Sequence, residues 1–384
     1  MAINLTLALT FFNFVGSSAA RVLLTLYALA LGAQPSTVGV LGGMFYLFPL
    51  LLSLPIGSLA DRYGSRWLLM IGALCGTGAL LLPYFVRAIP AFYVAAALSG
   101  LALAFYHVTL QNLIGILSRP NEHARNFSNF SMAGALTSFF GPLLAGFSID
   151  YAGHAVACLY LAALSVIAIL LLLIWGRLLP GGNRAAVGGT GTRKSLADRE
   201  VLRMLATSSL TQLGTDLFQF YLPIYGYAKG LSASAIGAAL AAFAGASFVV
   251  RIFLARMVKQ VSAEKLLAWS FYAGAIGFAL VPFCDSAFML GVVAFVFGLG
   301  MGIGTPLTVI LMFSHSTEGR SGQTLGLRLT ANNFVRVVGP VLFGAVGSAL
   351  GLSPVFWINA LMMGAGGLMS RPRGAQSRKP PVGP

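Results

Sequence analysis

Roughly 18 to 25 mostly apolar residues at a time follow one another along this chain almost to residue 370, parted by short polar or glycine-rich breaks. Each run is long enough to cross a hydrocarbon core about 30 Å thick at 1.5 Å of helix rise per residue. The pattern predicts about twelve membrane-spanning helices, near 5–31, 36–58, 67–86, 90–117, 126–150, 154–177, 204–228, 233–257, 266–284, 287–313, 324–349 and 353–370. One break is long. Residues 178–200 read LLPGGNRAAVGGTGTRKSLADRE, with glycine and charge but no apolar period, which predicts a flexible linker. Six spans (1–177) precede it and six (201–370) follow it, and a basic, proline-rich tail (371–384) is expected to be disordered.

The two halves repeat one another. Gly16, Tyr27, Gly32, Ser36 and Gly39 recur, 198 residues on, as Gly214, Tyr225, Gly230, Ser234 and Gly237. Gly100 maps to Gly298, and Gly141-Pro142-Leu143-Leu144-Ala145-Gly146 maps to Gly339-Pro340-Val341-Leu342-Phe343-Gly344. The expected fold is all-α and polytopic: two pseudo-symmetric six-helix bundles. A doubled membrane bundle of this kind points to a transporter with its site between the halves.

Composition agrees, and charge adds orientation. The 384 residues are 58% hydrophobic and 9% charged, far below the roughly 25% charge of a soluble domain. A net charge of +15 raises the question of nucleic acid. With the N-terminus placed inside, however, 19 of the 24 Lys and Arg fall in cytoplasmic segments, a bias that sets topology. Both termini are therefore expected in the cytoplasm, with anionic lipid as the polyanion and no nucleic acid as partner. Cys75, Cys158 and Cys284 show no metal-like spacing and read as small packing residues, so no metal or cofactor is expected. The stretch Gly189 to Ser195 faintly resembles a phosphate loop, but Arg193 stands where glycine is required, which argues against ATP-driven transport.

One loop carries a family signature. Between spans two and three the chain reads Gly57-Ser58-Leu59-Ala60-Asp61-Arg62-Tyr63-Gly64-Ser65-Arg66. This resembles the G-x-x-x-D-R-x-G-x-R loop of the major facilitator superfamily. With the six-plus-six spans, the linker and the repeat, the resemblance covers nearly the whole chain. It implies secondary transport by two bundles rocking about a central site. It also implies that Gly57, Asp61, Arg62, Gly64 and Arg66 latch the outward-facing state on the cytoplasmic side. Gly64 in particular would permit a tight reversal that a side chain obstructs. The second-half counterpart has decayed to Ala255, Lys259, Gln260 and Ser262, so the latch is asymmetric. Gly141, Pro142 and Gly146 resemble the G-P-x-x-G-G element associated with antiporters. Their return as Gly339 and Pro340 suits a device that bends helices in both halves. Proton-coupled drug exporters of the family usually carry an arginine in span four, where this chain has Ala96.

Ionisable residues at bilayer depth are costly and so are functional candidates. Arg21 lies mid-span one, His107 in span four, Asp216 in span seven, Arg251 in span eight and Arg336 in span eleven; of the nine acids, only Asp216 is deep. Asn13, Ser17 and Arg21 form one stripe, matched in span seven by Thr211, Thr215 and Gln219. Tyr106 and Gln111 of span four and Asn332 of span eleven add polar groups, and Thr305 and Thr308 face from span ten. Three arginines against one aspartate leave an excess of positive charge that an anion would neutralise, and guanidinium binds carboxylate with two hydrogen bonds. The expected substrate is a small organic anion held by Arg21, Arg251 and Arg336, oriented by Tyr106, Gln111, Gln219 and Asn332. Asp216 or His107 would carry the coupling proton. Arg21 or Arg336 pairing structurally with Asp216, and Arg251 reaching to the headgroups, stand as plainer readings.

One rival keeps the fold and another changes the class. A multidrug exporter would use Phe12, Phe14, Phe105, Phe218, Phe220 and Tyr221 as an adaptable aromatic wall. An intramembrane enzyme would need a nucleophile–base pair or a metal cluster, and there is no H-E-x-x-H, so no enzyme is expected. Sodium sites of hydroxyl and carbonyl oxygens leave no sequence signature, so the sequence does not separate proton from sodium coupling. A monomer in a bacterial inner membrane is the expected form.

Overall fold

The computed structural model describes residues 2–119, 122–181, 199–315 and 321–371. Most of the linker and of the C-terminal tail lie outside the described residues. The first half comprises α1 (Ala2–Ala30), α2 (Pro35–Tyr63), α3 (Ser65–Phe85), α4 (Ile89–Leu117) and α5 (His123–Trp175). The second comprises α6 (Arg199–Ala228), α7 (Ala233–Gln260), α8 (Ala263–Leu280), α9 (Ala287–Met301), α10 (Gly304–His315), α11 (Ser321–Leu350) and α12 (Leu352–Ser370). The long α5 is two spans, because the chain reverses at Gly153 in its middle (φ 78, ψ 164). Conversely α9 and α10 are one span, interrupted by a turn at Gly302 and Ile303. The result is twelve crossings in two bundles.

The repeat is written into the backbone. Five described glycines have positive φ, and four of them are register pairs: Gly32 with Gly230, and Gly153 with Gly351. Each ends a span where an L side chain would be strained. The fifth is Gly64 (φ 84), in the signature loop between α2 and α3. Its mate Ser262 has an ordinary extended φ of -61, so the tight reversal belongs to the first half alone.

Among the described residues, ten helices are long and apolar enough to cross a membrane by length and composition. α6 is not among them. Its polar residues, Thr207, Thr211, Gln212, Thr215, Asp216 and Gln219, lower its hydropathy, and most of them turn inward.

The halves meet through α2 against α11, α5 against α7 and α1 against α6. The side of the molecule that carries the signature loop and the linker ends is the linker side; the opposite one, with Gly32, Gly153, Gly230 and Gly351, is the far side. The tightest contacts between halves lie towards the far side. A Cβ on Gly39 would run into the Pro340 carbonyl oxygen, and one on its mate Gly237 into the Pro142 carbonyl oxygen. Gly146 and Gly344 likewise lie flat against Ser234 and Ser36, the first turns of α7 and α2. At the rim, Asp150 accepts from the backbone N–H of Ala233 (3.0 Å) and Ser234 (2.8 Å), filling two of the free donors of the α7 N-terminus. Its register mate Ser348 accepts from Ser36 N–H at 2.8 Å.

The bundle interiors differ. In the first, Ser17, Ser99 and Ser165 line a cavity of about 10 Å³, room for one water molecule. In the second, the counterparts of Ala20, Leu80, Ser99 and Ser165 are Phe218, Phe278, Phe297 and Met363, which fill the same place. Phe218 and Phe297 stack with centroids 3.7 Å apart, and Phe278 meets Phe297 at 5.2 Å.

Candidate functional site

Four helices bring the deep charges to one place at the interface of the halves. Arg21 of α1 donates through Nη2 to Gln219 Oε1 of α6 at 2.8 Å, a bond between register mates across the pseudo-twofold axis. Its Nη1 donates to Tyr46 Oη of α2 at 2.6 Å. The same Tyr46 ring carries the Arg336 guanidinium of α11 over its face, 4.7 Å from the centroid. Arg336 then pairs with Asp216 of α6, with Nε donating to Oδ2 at 2.7 Å. Gln212 Nε2, one turn back, donates to the same Oδ2 at 2.8 Å. The chain Gln219–Arg21–Tyr46–Arg336–Asp216–Gln212 thus ties both halves together in mid-membrane.

Its electrostatics are lopsided. Among the described residues two guanidinium groups face a single carboxylate, and Arg21 is met only by neutral oxygens. Asp216 is buried, at 7% side-chain exposure, while Arg336 keeps 29%, so the cation is the more accessible partner. An accessible guanidinium with donors to spare is a strong carboxylate ligand.

Other expected site residues take different places. Asn332 Oδ1 accepts from Ser208 (3.3 Å) and Ser209 (3.5 Å), one turn towards the linker side from Arg336. His107 is exposed, its ring 6.1 Å from that of Phe14, and lies within electrostatic reach of Arg336. Gln111, one turn further along α4, is also exposed. Tyr106 is not at the interface. It is buried inside the first bundle, its hydroxyl without a hydrogen-bond partner and close against Gly76, next to the serine-lined cavity. Arg251 is also apart from the network, donating through Nε to the Gly302 carbonyl oxygen at 2.8 Å, at the break in span ten.

Of the signature loop, the side chain of Asp61 and the packing of Gly57 lie outside the described residues. Arg62 is exposed over the Tyr63 ring, and Arg66 lies against Gly176 at the end of α5, within its own half. The duplicated Gly-Pro element serves as a two-sided spacer. Its first glycine admits the half's own first span (Gly141 against Ser18, Gly339 against Leu213), and its last admits the opposite half.

Three participants escaped the sequence reading. Tyr46 sits in an aromatic stretch of α2, and Ala244 occupies its register position, so the repeat gives no signal for it. Gln212 was overlooked on the Asp216 stripe, although its i−4 spacing from Asp216 was available. Arg328, near the start of the expected span 324–349 and one of the 19 basic residues assigned to cytoplasmic segments, is buried within α11.

The sequence profile described as Major Facilitator Superfamily matches residues 6–232 and again 204–384, so both halves are covered. The chain belongs to the Major Facilitator Superfamily. Among its relatives, "Multidrug resistance protein MdtG" of Dickeya zeae is 25% identical over 364 residues, covering 91% of this chain and 88% of the relative. "Quinolone resistance protein NorA" of Staphylococcus aureus is 22% identical over 344 residues, covering 88% and 87%. Among solved structures, a mutant of the nucleoside transporter NupG superposes with a TM-score of 0.78 at 15% identity over 96% of this chain and 99% of that one. A POT family transporter in complex with 5-aminolevulinic acid gives 0.79 at 12% identity over 95% and 94%. These superpositions establish the fold; the superfamily match makes this protein an integral membrane transporter.

Proposed function

We propose that this superfamily member is a proton-coupled secondary transporter of small organic anions, working by alternating access between its two bundles. The observation that carries the reading is the convergence of Arg21 and Arg336 on Tyr46, with Asp216 as the one carboxylate set against them. Net positive charge in a low-dielectric setting favours an anion strongly. The Arg336–Asp216 bond supplies a coupling element. Protonation of Asp216 would release Arg336 to the substrate, and substrate bound to Arg336 would leave Asp216 free to take a proton. The excess of basic residues on the linker side supports a cytoplasmic position for it, and removing Arg328 from the count leaves that bias intact. In this orientation the far side is extracellular, and its close packing supports reading the arrangement as cytoplasm-facing.

Ligand-induced thermal stabilisation of the purified protein tests the reading, because a ligand that prefers the folded state raises the melting temperature. Aryl and alkyl carboxylates are expected to stabilise it, with the effect weakened in Arg21→Gln and in Arg336→Gln. Stabilisation by lipophilic cations with none by anions would overturn it. A second reading, multidrug export, is favoured by the names of the relatives, MdtG and NorA. Against it, Phe218 and Tyr221, two of the aromatic residues it would use, are fully buried in packing.

A further inference from the structure

Arg328 lies eight residues before Arg336 on the same stripe of α11, about 12 Å nearer the linker side at 1.5 Å per residue. It is 5% exposed. Its Nε donates to Ser208 Oγ of α6 at 2.7 Å and its Nη2 to Thr308 Oγ1 of α10 at 3.3 Å. Both hydroxyls already give their own protons away, Ser208 to Asn332 Oδ1 and Thr308 to the Thr305 carbonyl. Among the described residues the ion pairs belong to Arg125, Lys229 and Arg336, and none reaches Arg328. This is, among the described residues, a buried cation held only by neutral oxygens, a costly arrangement for a fold to keep.

The fold itself does not require it. The register mate of Arg328 is Phe130, that of Gln212 is Phe14, that of Thr308 is Leu110 and that of Asn332 is Gly134. In the first bundle Phe14 and Phe130 meet ring to ring at 6.1 Å, closing the same place with apolar packing. The second bundle carries an arginine instead. One edge of its guanidinium, Nε and Nη2, is occupied by the two hydroxyls. The other edge, Nη1 with the second hydrogen of Nη2, has no protein acceptor among the described residues. The Asn332 amide, whose oxygen already accepts twice, still has its N–H groups to give.

We infer that the free edge of Arg328, with the Asn332 amide, forms a second anion site, at which an oxyanion head group halts between Arg336 and the linker side. A guanidinium edge matches the spacing of carboxylate or sulfonate oxygens, so these are the ligand class. As to cargo the inference rests on the organic-anion reading; as to anion binding it stands on Arg328 alone. Two cationic stations along α11, joined by Asn332, let an acidic group leave Arg336 without entering the membrane interior unpaired.

The test uses the full-length purified protein, with benzoate, benzenesulfonate and inorganic sulfate as probes. Thermal shift is titrated in the wild type, Arg336→Gln, Arg328→Gln, Arg328→Lys and the double glutamine variant. Arg336→Gln is expected to keep a weaker stabilisation that the double variant loses. Arg328→Gln alone should raise the half-saturating concentration by about tenfold, the loss of one charge-assisted pair, with Arg328→Lys recovering part of it. If Arg336→Gln alone abolishes all response, or Arg328→Gln lowers the ligand-free melting temperature and leaves the titration unchanged, Arg328 is structural and the second site fails. Sulfate stabilisation that depends on Arg328, without any response to the organic anions, would sustain the site and overturn the cargo.

Discussion

Tyr46 is the residue on which the two halves agree: its hydroxyl takes Arg21 and its ring takes Arg336. Tyr46→Phe removes the first contact and keeps the second. The loss of one charge-assisted hydrogen bond, about 1.5–3 kcal/mol where it is fully desolvated, should weaken anion binding or transport by about tenfold or more. An equilibrium binding titration reads this, and an unchanged affinity would show Tyr46 to be a bystander. Asp216→Asn keeps the shape of the Arg336 contact and removes the titratable group. Uptake driven by a pH gradient into proteoliposomes should disappear, while counterflow exchange persists. Loss of both would make Asp216 structural. Arg21, Asp216, Gln219 and Arg336 were legible in the sequence because a charged or amide group deep in an apolar run stands out, and the repeat aligns two of them. Tyr46 was not, since an aromatic residue in a membrane span is ordinary until its neighbours are known. Tyr106 shows the converse: the sequence reading set it with Gln111 among the substrate-orienting groups, and packing turned it into the first bundle.

At the scale of helices, four glycines let the halves touch backbone to backbone on the far side, and they are two register pairs: Gly39 with Gly237 and Gly146 with Gly344. A β-branched side chain there meets a carbonyl oxygen that belongs to a rigid helix. Gly39→Val should cost the packed far side about 1–3 kcal/mol of overpacking, enough to shift the balance of states by roughly tenfold. The matching observable is faster labelling of a single cysteine at position 348 by a membrane-impermeant maleimide. An unchanged labelling rate would mean that these contacts do not gate the far side. Asp150 adds polar closure. Because Asp150 is exposed, Asp150→Ala should cost only the low end of the helix-capping range, about 0.5–1 kcal/mol, and the same labelling should rise modestly. Span ten, expected as one helix, is broken at Gly302, where Arg251 takes the carbonyl oxygen. Hydropathy sees such a span as continuous because the break itself is apolar.

For the whole molecule, the reading of a moving two-bundle machine predicts that tying the far side shut stops transport. In a background with Cys75, Cys158 and Cys284 replaced, Ser36→Cys with Ser348→Cys should cross-link on oxidation, since Ser36 N and Ser348 Oγ lie 2.8 Å apart. Transport should cease and return on reduction. Full activity in the cross-linked protein would sink alternating access through this interface. The sequence by itself determined the membrane class, the twelve crossings and the doubled architecture, because hydrophobic length and register are local and repeating properties that survive without knowledge of contacts. Only the tertiary structure decided which polar groups meet, since that depends on how helices are rotated within each bundle and how the two bundles seat against one another. Packing between the bundles joins Arg21 to its own mate Gln219 and lays Arg336 over Tyr46, while packing within the second bundle sets Arg336 on Asp216 and leaves Arg328 a buried charge where the first half has a phenylalanine.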